Sequence, residues 1–136
     1  LHVGRAEDRG GNDIRIRGPD GRELNLHGYW DTSAITAVQT DPRRYAAAIA
    51  PLAVGHADFW QSTEPLAWAR ESLTLRPLAY DFHPVHGPVT LNADYAERAQ
   101  TTARLRLAQA GVRIAGLLNE LLGAGADGCS PPELAR

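Results

Sequence analysis

Asn25-Leu26-His27-Gly28-Tyr29-Trp30-Asp31-Thr32 is where an alternating segment gives way to a helical one. His27 and Asp31 are four residues apart, so on a helix they share one face, one turn apart. An imidazole and a carboxylate so placed are two corners of a tetrahedral zinc site. A catalytic zinc takes three protein ligands, each about 2 Å away, and a water. Two ligands do not make a site, so a third must come from elsewhere in the chain. Without it, the spacing describes an ordinary pair: a helix-start Asp that caps, or pairs with, a solvated His.

Upstream, residues 13–26 predict a β-hairpin. Ile14 and Ile16 alternate with Arg15 and Arg17, and Leu24 and Leu26 alternate with Glu23 and Asn25. Gly18-Pro19-Asp20-Gly21 between them is a strong turn signal. A hairpin brings its outer ends together. It therefore sets residues near Asn12 close to His27, with His2 a loop away and the best candidate for the third ligand. Gly10-Gly11 in that loop opens backbone conformations closed to other residues and lets main chain approach a ligand. A plain turn into the strand is the simpler reading of the glycines, since no phosphate-loop pattern follows.

Downstream the chain reads as helical. Residues 28–38 continue the helix of His27 and Asp31. Asp41-Pro42 starts the next, with Asp as N-cap and Pro in the first turn, running to about Ala53 and stopped by Gly55. Thr63 and Pro65 open another through Trp68, Glu71 and Leu75 to about Tyr80. Residues 81–91 are a proline-broken loop. The longest helix spans about Ala93 to Leu122. Leu105, Ala108, Val112, Ala115, Leu118 and Leu122 mark its apolar stripe. Gly123 to Arg136 reads as a frayed tail.

The 136 residues suffice for one domain with a core, and the net charge of −2 argues neither for nor against a polyanionic partner. All 14 basic residues are Arg, and there is no Met, so Leu1 is read as something other than a translation start. No segment has the roughly 18–20 apolar residues of a membrane span. Cys129, the single cysteine, allows no intrachain disulfide and is read as incidental. His83 and His86 sit among prolines and are read as solvated loop residues, His56 as a helix-boundary residue. Trp30, Trp60 and Trp68 fit core packing, though Trp30 adjoins Asp31. Arg15, Arg17 and Arg22 fit a solvated hairpin face.

Five phrases occur in order: Leu1-His2-Val3-Gly4; Asp8-Arg9-Gly10-Gly11-Asn12; Asn25-Leu26-His27 with Trp30-Asp31; Trp68-Ala69-Arg70-Glu71-Ser72; and Leu107 to Ala115 with Leu117-Leu118-Asn119. The set closely resembles the second half of the zinc-dependent single-strand nucleases of the S-one/P-one type, which share a fold with zinc-dependent phospholipase C. The resemblance implies a mainly α, phospholipase C/nuclease-type helical domain with one β-hairpin near the N-terminus. Residues 1–122 would be its C-terminal portion and 123–136 the flexible tail. It implies a three-zinc hydrolase of phosphodiester bonds in single-stranded DNA and RNA, a metal-dependent endonuclease and 3′-nucleotidase, secreted or periplasmic. His2, His27 and Asp31 correspond to the ligands of one zinc. Asn12 corresponds to a residue that contacts the nucleobase of the substrate.

The family's other zinc ligands have no counterpart in these residues, nor has the machinery that holds the attacking water. One zinc site is expected in this chain. The missing N-terminal half is expected as a partner that packs on the helices, leaving apolar surface exposed without it. Two rival readings stand. A phospholipase C-like phosphodiesterase is disfavoured by the Gly-Gly-Asn loop and by Asp at residue 31, where those enzymes use Glu. A non-catalytic zinc-binding fragment is separated from the enzyme by activity with and without the missing half.

Overall fold

The computed structural model describes residues 6–61, 64–82 and 88–123. His2, Thr63, His83, His86, Cys129 and the expected tail beyond Gly123 lie outside the described residues.

The hairpin forms as expected. Strands β1 (Arg15–Arg17) and β2 (Glu23–Asn25) pair antiparallel, with Ile16 opposite Leu24. Gly21, at φ +80°, makes the turn possible. Ile16 points into the core while Arg15 and Arg17 stay exposed. Arg17 pairs with Glu23 at 2.6 Å and Arg22 lies 3.6 Å from Asp20, so the basic face of the hairpin is largely balanced by its own carboxylates.

A third strand was not expected. β3 (Val89–Thr90) runs parallel to β1, with Val89 beside Ile16, and the Leu91 N–H donates to the Arg17 carbonyl at 2.9 Å. Part of the segment read as a proline-broken loop therefore completes a sheet of order β2-β1-β3. Two residues are too few to show a period of two, and their partner lies far back in the sequence.

The helices follow. α1 is one continuous run in three parts: an α turn at Leu26–Gly28, a π-helical segment at Tyr29–Ser33 and an α turn at Ala34–Thr36. α2 (Pro42–Ile49) is capped by Asp41, whose carboxylate accepts from the Arg43 and Arg44 N–H groups, and it tightens into a 3-10 segment at Ala50–Ala53. Gly55 (φ +77°) ends it. A short α3 (Ala57–Trp60), absent from the sequence reading, starts at His56, whose ring stacks on Trp60. The helix expected from Thr63 to Tyr80 is instead two, α4 (Pro65–Thr74) and α5 (Arg76–Ala79). Pro77 has no N–H to continue the ladder, and the first helix closes at Leu75, whose N–H donates to the Ser72 carbonyl at 3.2 Å. α6 (Ala93–Gly123) matches the long helix.

The core lies between the sheet, α1, α5 and the first half of α6. Ile16 and Leu26 are fully buried, packed with Tyr29, Tyr80, Leu91 and Tyr95. Tyr95 is its polar centre. Its hydroxyl donates to the Ala79 carbonyl at 2.7 Å and accepts from Trp30 Nε1 at 2.9 Å. Burial pushes its phenol pKa far above the usual value. Of the stripe expected along α6 only Ala108 is buried; Val112 is half-buried and Leu105, Ala115, Leu118 and Leu122 are exposed, while the buried face runs through Tyr95, Ala96, Ala99, Ala103, Ala108 and Arg113.

A second junction is ionic. Both oxygens of Glu71 on α4 accept from Arg113 Nη2 (2.8 Å each), and its Oε2 also accepts from Arg106 Nη1 (2.8 Å). Arg113 also donates to the Trp60 carbonyl and lies over the Trp68 ring. Arg106 adds Ser72 and Gln109. Desolvation raises the Glu71 carboxyl, but hydrogen bonds from Arg106 and Arg113 and their charges outweigh it, leaving the pKa below the ordinary value.

Tyr95→Phe should lower unfolding free energy by about 1–3 kcal/mol, because Trp30 and Ala79 each lose a buried partner. Urea melts followed by tryptophan fluorescence check it. Glu71→Gln should cost about 1–2 kcal/mol, a charged hydrogen-bond value reduced because the Glu71 side chain is 41% exposed. The folded pKa of Glu71 is depressed, so its contribution is complete above the unfolded carboxylate pKa and is lost as pH falls through the folded one. The stability gap between wild type and Glu71→Gln should therefore close on acidification. A gap that widens in acid contradicts the assignment.

Candidate metal centre

The candidate centre is built where β2 becomes α1. Asn25 ends the strand in extended geometry and caps the helix, its Oδ1 accepting from the Gly28 N–H at 2.6 Å. The cap is thus Asn25, while Asp31 lies further along, inside the π-helical segment. There the Ala34 N–H reaches the Tyr29 carbonyl, five residues back. Such bulges are frequent at functional sites. His27 Nε2 and Asp31 Oδ2 are 2.9 Å apart, so the shared-face expectation holds. The His27 side chain is 21% exposed and that of Asp31 44%, which leaves the carboxylate the open side of the pair.

The other ring nitrogen is held by main chain. His27 Nδ1 lies 3.1 Å from the Gly10 carbonyl. A carbonyl oxygen only accepts, so Nδ1 carries the hydrogen. Nε2, which faces a carboxylate, then needs a proton or a cation between it and Asp31. Donors each about 2 Å from a tetrahedral metal stand roughly 3.3 Å apart, so an opening of a few tenths of an ångström would admit one. The donor set, neutral imidazole and carboxylate, suits zinc. An outer carbonyl on Nδ1 is the usual way a ligand histidine is oriented.

The loop that supplies this carbonyl has an unusual backbone. Arg9, Gly10 and Gly11 follow one another at φ +51°, +70° and +88°. This region costs a non-glycine residue such as Arg9 roughly 1–2 kcal/mol. The Gly11 carbonyl accepts from the His27 N–H (3.3 Å) and the Ile14 N–H (3.4 Å). His27 is therefore gripped by ring and backbone alike, as the hairpin argument anticipated when it set the Asn12 end beside His27.

Asn12 is half-buried, with Nδ2 donating to the Arg9 carbonyl at 2.9 Å and Oδ1 accepting from Asn25 Nδ2 at 3.4 Å. Its amide thus joins the loop to the helix cap. Among the described residues no three His, Cys, Asp or Glu side chains converge; the expected third ligand, His2, is outside them. Beside Asp31 opens a cleft of about 720 Å³, lined by Trp30, Asp31, Trp68, Ser72 and Arg106 among others.

The profile of the S1/P1 nucleases matches residues 1–123. The chain belongs to the S1/P1 nuclease family. It is similar to three proteins of Arabidopsis thaliana. Identity is 32% to Endonuclease 3 (91% of this chain, 47% of the relative) and 31% to Endonuclease 4 (89% and 45%). It is 30% to Endonuclease 2 (90% and 47%). The chain spans about half the length of these curated relatives.

Two parts of this candidate site were missed in the sequence: the Gly10 carbonyl, because main chain carries no residue signature, and Asp8, which opens the Asp8-to-Asn12 phrase but was given no role. The signal for Asp8 was its place three residues before Gly11, the spacing at which an Asp side chain acts as an N-cap-like acceptor. Asn25→Ala should cost about 1 kcal/mol through loss of the cap and release Asn12. Chemical denaturation measures the first, and faster exchange of the Gly28 amide the second.

Proposed function

We propose that this chain is the C-terminal portion of a zinc-dependent phosphodiester hydrolase, an endonuclease and 3′-nucleotidase acting on single-stranded DNA and RNA. His2, His27 and Asp31 hold one of its zincs. The observation that carries the proposal is the His27 ring, fixed by the Gly10 carbonyl so that Nε2 meets the Asp31 carboxylate. Family membership supports the nuclease chemistry, and the names of the endonuclease relatives agree with it.

Zinc bound here would supply Lewis-acid stabilisation of charge on phosphoryl and leaving oxygens. His27 offers the Nε2 lone pair, its other nitrogen being committed to Gly10. Asp31 offsets part of the metal's charge and, from its more open position, leaves room for a phosphate oxygen. Asn12, one residue from the gripping loop, has one amide hydrogen left over for a base edge. Activation of the attacking water belongs to residues outside this chain. Those residues, the other half of the domain, are the partner proposed to cover the cleft beside Asp31, with its half-buried Trp68 and Arg106 wall. Secretion or export to the periplasm is part of the same proposal.

Metal analysis after dialysis tests it first. One zinc per chain is expected, lost in His27→Ala and much weakened in Asp31→Asn. No zinc on the wild-type chain, when it is complemented with the other half, would refute the triad. Metal without hydrolysis of single-stranded DNA or 3′-nucleotides in that complex would favour a non-catalytic zinc protein. Hydrolysis of phosphatidylcholine instead would favour the phospholipase reading.

A further inference from the structure

Asp8 is buried, 8% exposed, in a loop whose neighbours Arg9 and Asp13 are exposed. Its Oδ1 accepts from the Gly11 N–H at 3.0 Å, and its carbonyl accepts from the Gly11 N–H (3.0 Å) and the Asp13 N–H (3.2 Å). Oδ2 is buried and has no hydrogen-bond partner among the described residues. Desolvating a carboxylate and leaving one oxygen open is costly, so the residue's use must lie in what Oδ1 does. The Gly11 N–H it binds belongs to the same peptide unit as the Gly10 carbonyl. Fixing that N–H fixes the direction of the carbonyl on its other side, and this carbonyl is the one at His27 Nδ1. The Asp8 carbonyl holds the same N–H, but Arg9 to Gly11 are all left-handed and two of them lack a side chain to resist rotation, so the carboxylate is the second contact that fixes the tilt of that peptide.

We infer that Asp8 is a positioning residue for the metal centre: it locks the Gly10–Gly11 peptide so that the Gly10 carbonyl holds the His27 ring with Nε2 turned toward Asp31. It touches neither metal nor substrate and acts through one peptide plane. The consequence for zinc affinity rests on the metal reading above; the consequence for the ring does not.

The test uses the full chain with ¹⁵N-labelled histidine, and His27→Ala assigns the signal. In the metal-free wild type, the His27 Nδ1–H should be visible and slow to exchange with solvent. In Asp8→Ala it should exchange at least about ten times faster, while the Ile16 and Leu26 amides keep their wild-type rates. Zinc affinity, read by competition with a chromophoric chelator, should fall about 10-fold, the lower end of what loss of an outer partner costs. Asp8→Asn keeps an oxygen for the Gly11 N–H and should preserve both properties. Asp8→Glu keeps the charge but displaces the oxygen, and should behave as Asp8→Ala does; it also decides the matter should the alanine variant not fold. A freely exchanging ring proton in wild type overturns the inference. So does a protected one in Asp8→Ala or Asp8→Glu, or one lost in Asp8→Asn. A wild-type chain that takes no zinc but shows the protected proton and its loss in Asp8→Glu supports the inference while removing the metal reading.

Discussion

The Tyr95 hydroxyl is used twice, as donor to α5 and as acceptor from α1. A buried hydroxyl with a single partner would still leave a lone pair or a proton unsatisfied, and this one satisfies both while sitting on a third helix. Its ring meets Tyr29, Trp30 and Phe82 at centroid distances of 6.0–6.3 Å, in tilted or edge-on arrangements that the ring quadrupole favours. Because Trp30 precedes Asp31, the same contact that closes the core fixes one wall of the candidate centre. The opposite wall is fixed by the hairpin, through the grip of the Gly10–Gly11 loop on His27. The placement of the His27–Asp31 pair is thus the product of two independent constraints, one aromatic and one made of backbone.

The Glu71 junction is of another kind. One carboxylate serves two guanidinium groups, so a positive charge is left over on the cleft side, where Arg106 lies. Oε2 accepts from both guanidinium groups and Oε1 from Arg113 alone, which one carboxylate can do because each of its oxygens has more than one acceptor site. That the chain's basic residues are all arginine is therefore consistent with the junction, although the junction alone does not explain it.

Much of this architecture could be read from residues. Alternation and Gly18-Pro19-Asp20-Gly21 located the hairpin, Asp41-Pro42 located a helix start, and the i, i+4 spacing of His27 and Asp31 placed them on one face. What escaped has a common cause. β3 exists only through pairing with β1, and two residues carry no pattern of their own. The split at Leu75 hinged on one proline set in an otherwise helical run. The π-helical turn is a property of hydrogen-bond register that side chains barely advertise. At the candidate site, the closeness of His27 to Asp31 and to the Asn12 loop was legible. The carbonyl that orients the ring was not, and the buried state of Asp8 depends on a loop path that two glycines leave open. S1/P1 family membership accounts for the phrases along the chain, while the contacts between them had to come from coordinates.

The grip on His27 has a further consequence for the order in which the chain can assemble. Gly10 and His27 are 17 residues apart, and His27 and Asp31 only four, whereas the Trp30–Tyr95 bond spans 65. The entropy of closing a loop rises with its length, and contacts distant in sequence come late for that reason. The hairpin and its histidine clamp therefore face a smaller closure penalty than the docking of the long helix. A nascent chain can carry a formed imidazole-carboxylate pair before its aromatic core exists, so this segment need not wait for the fold that later encloses it.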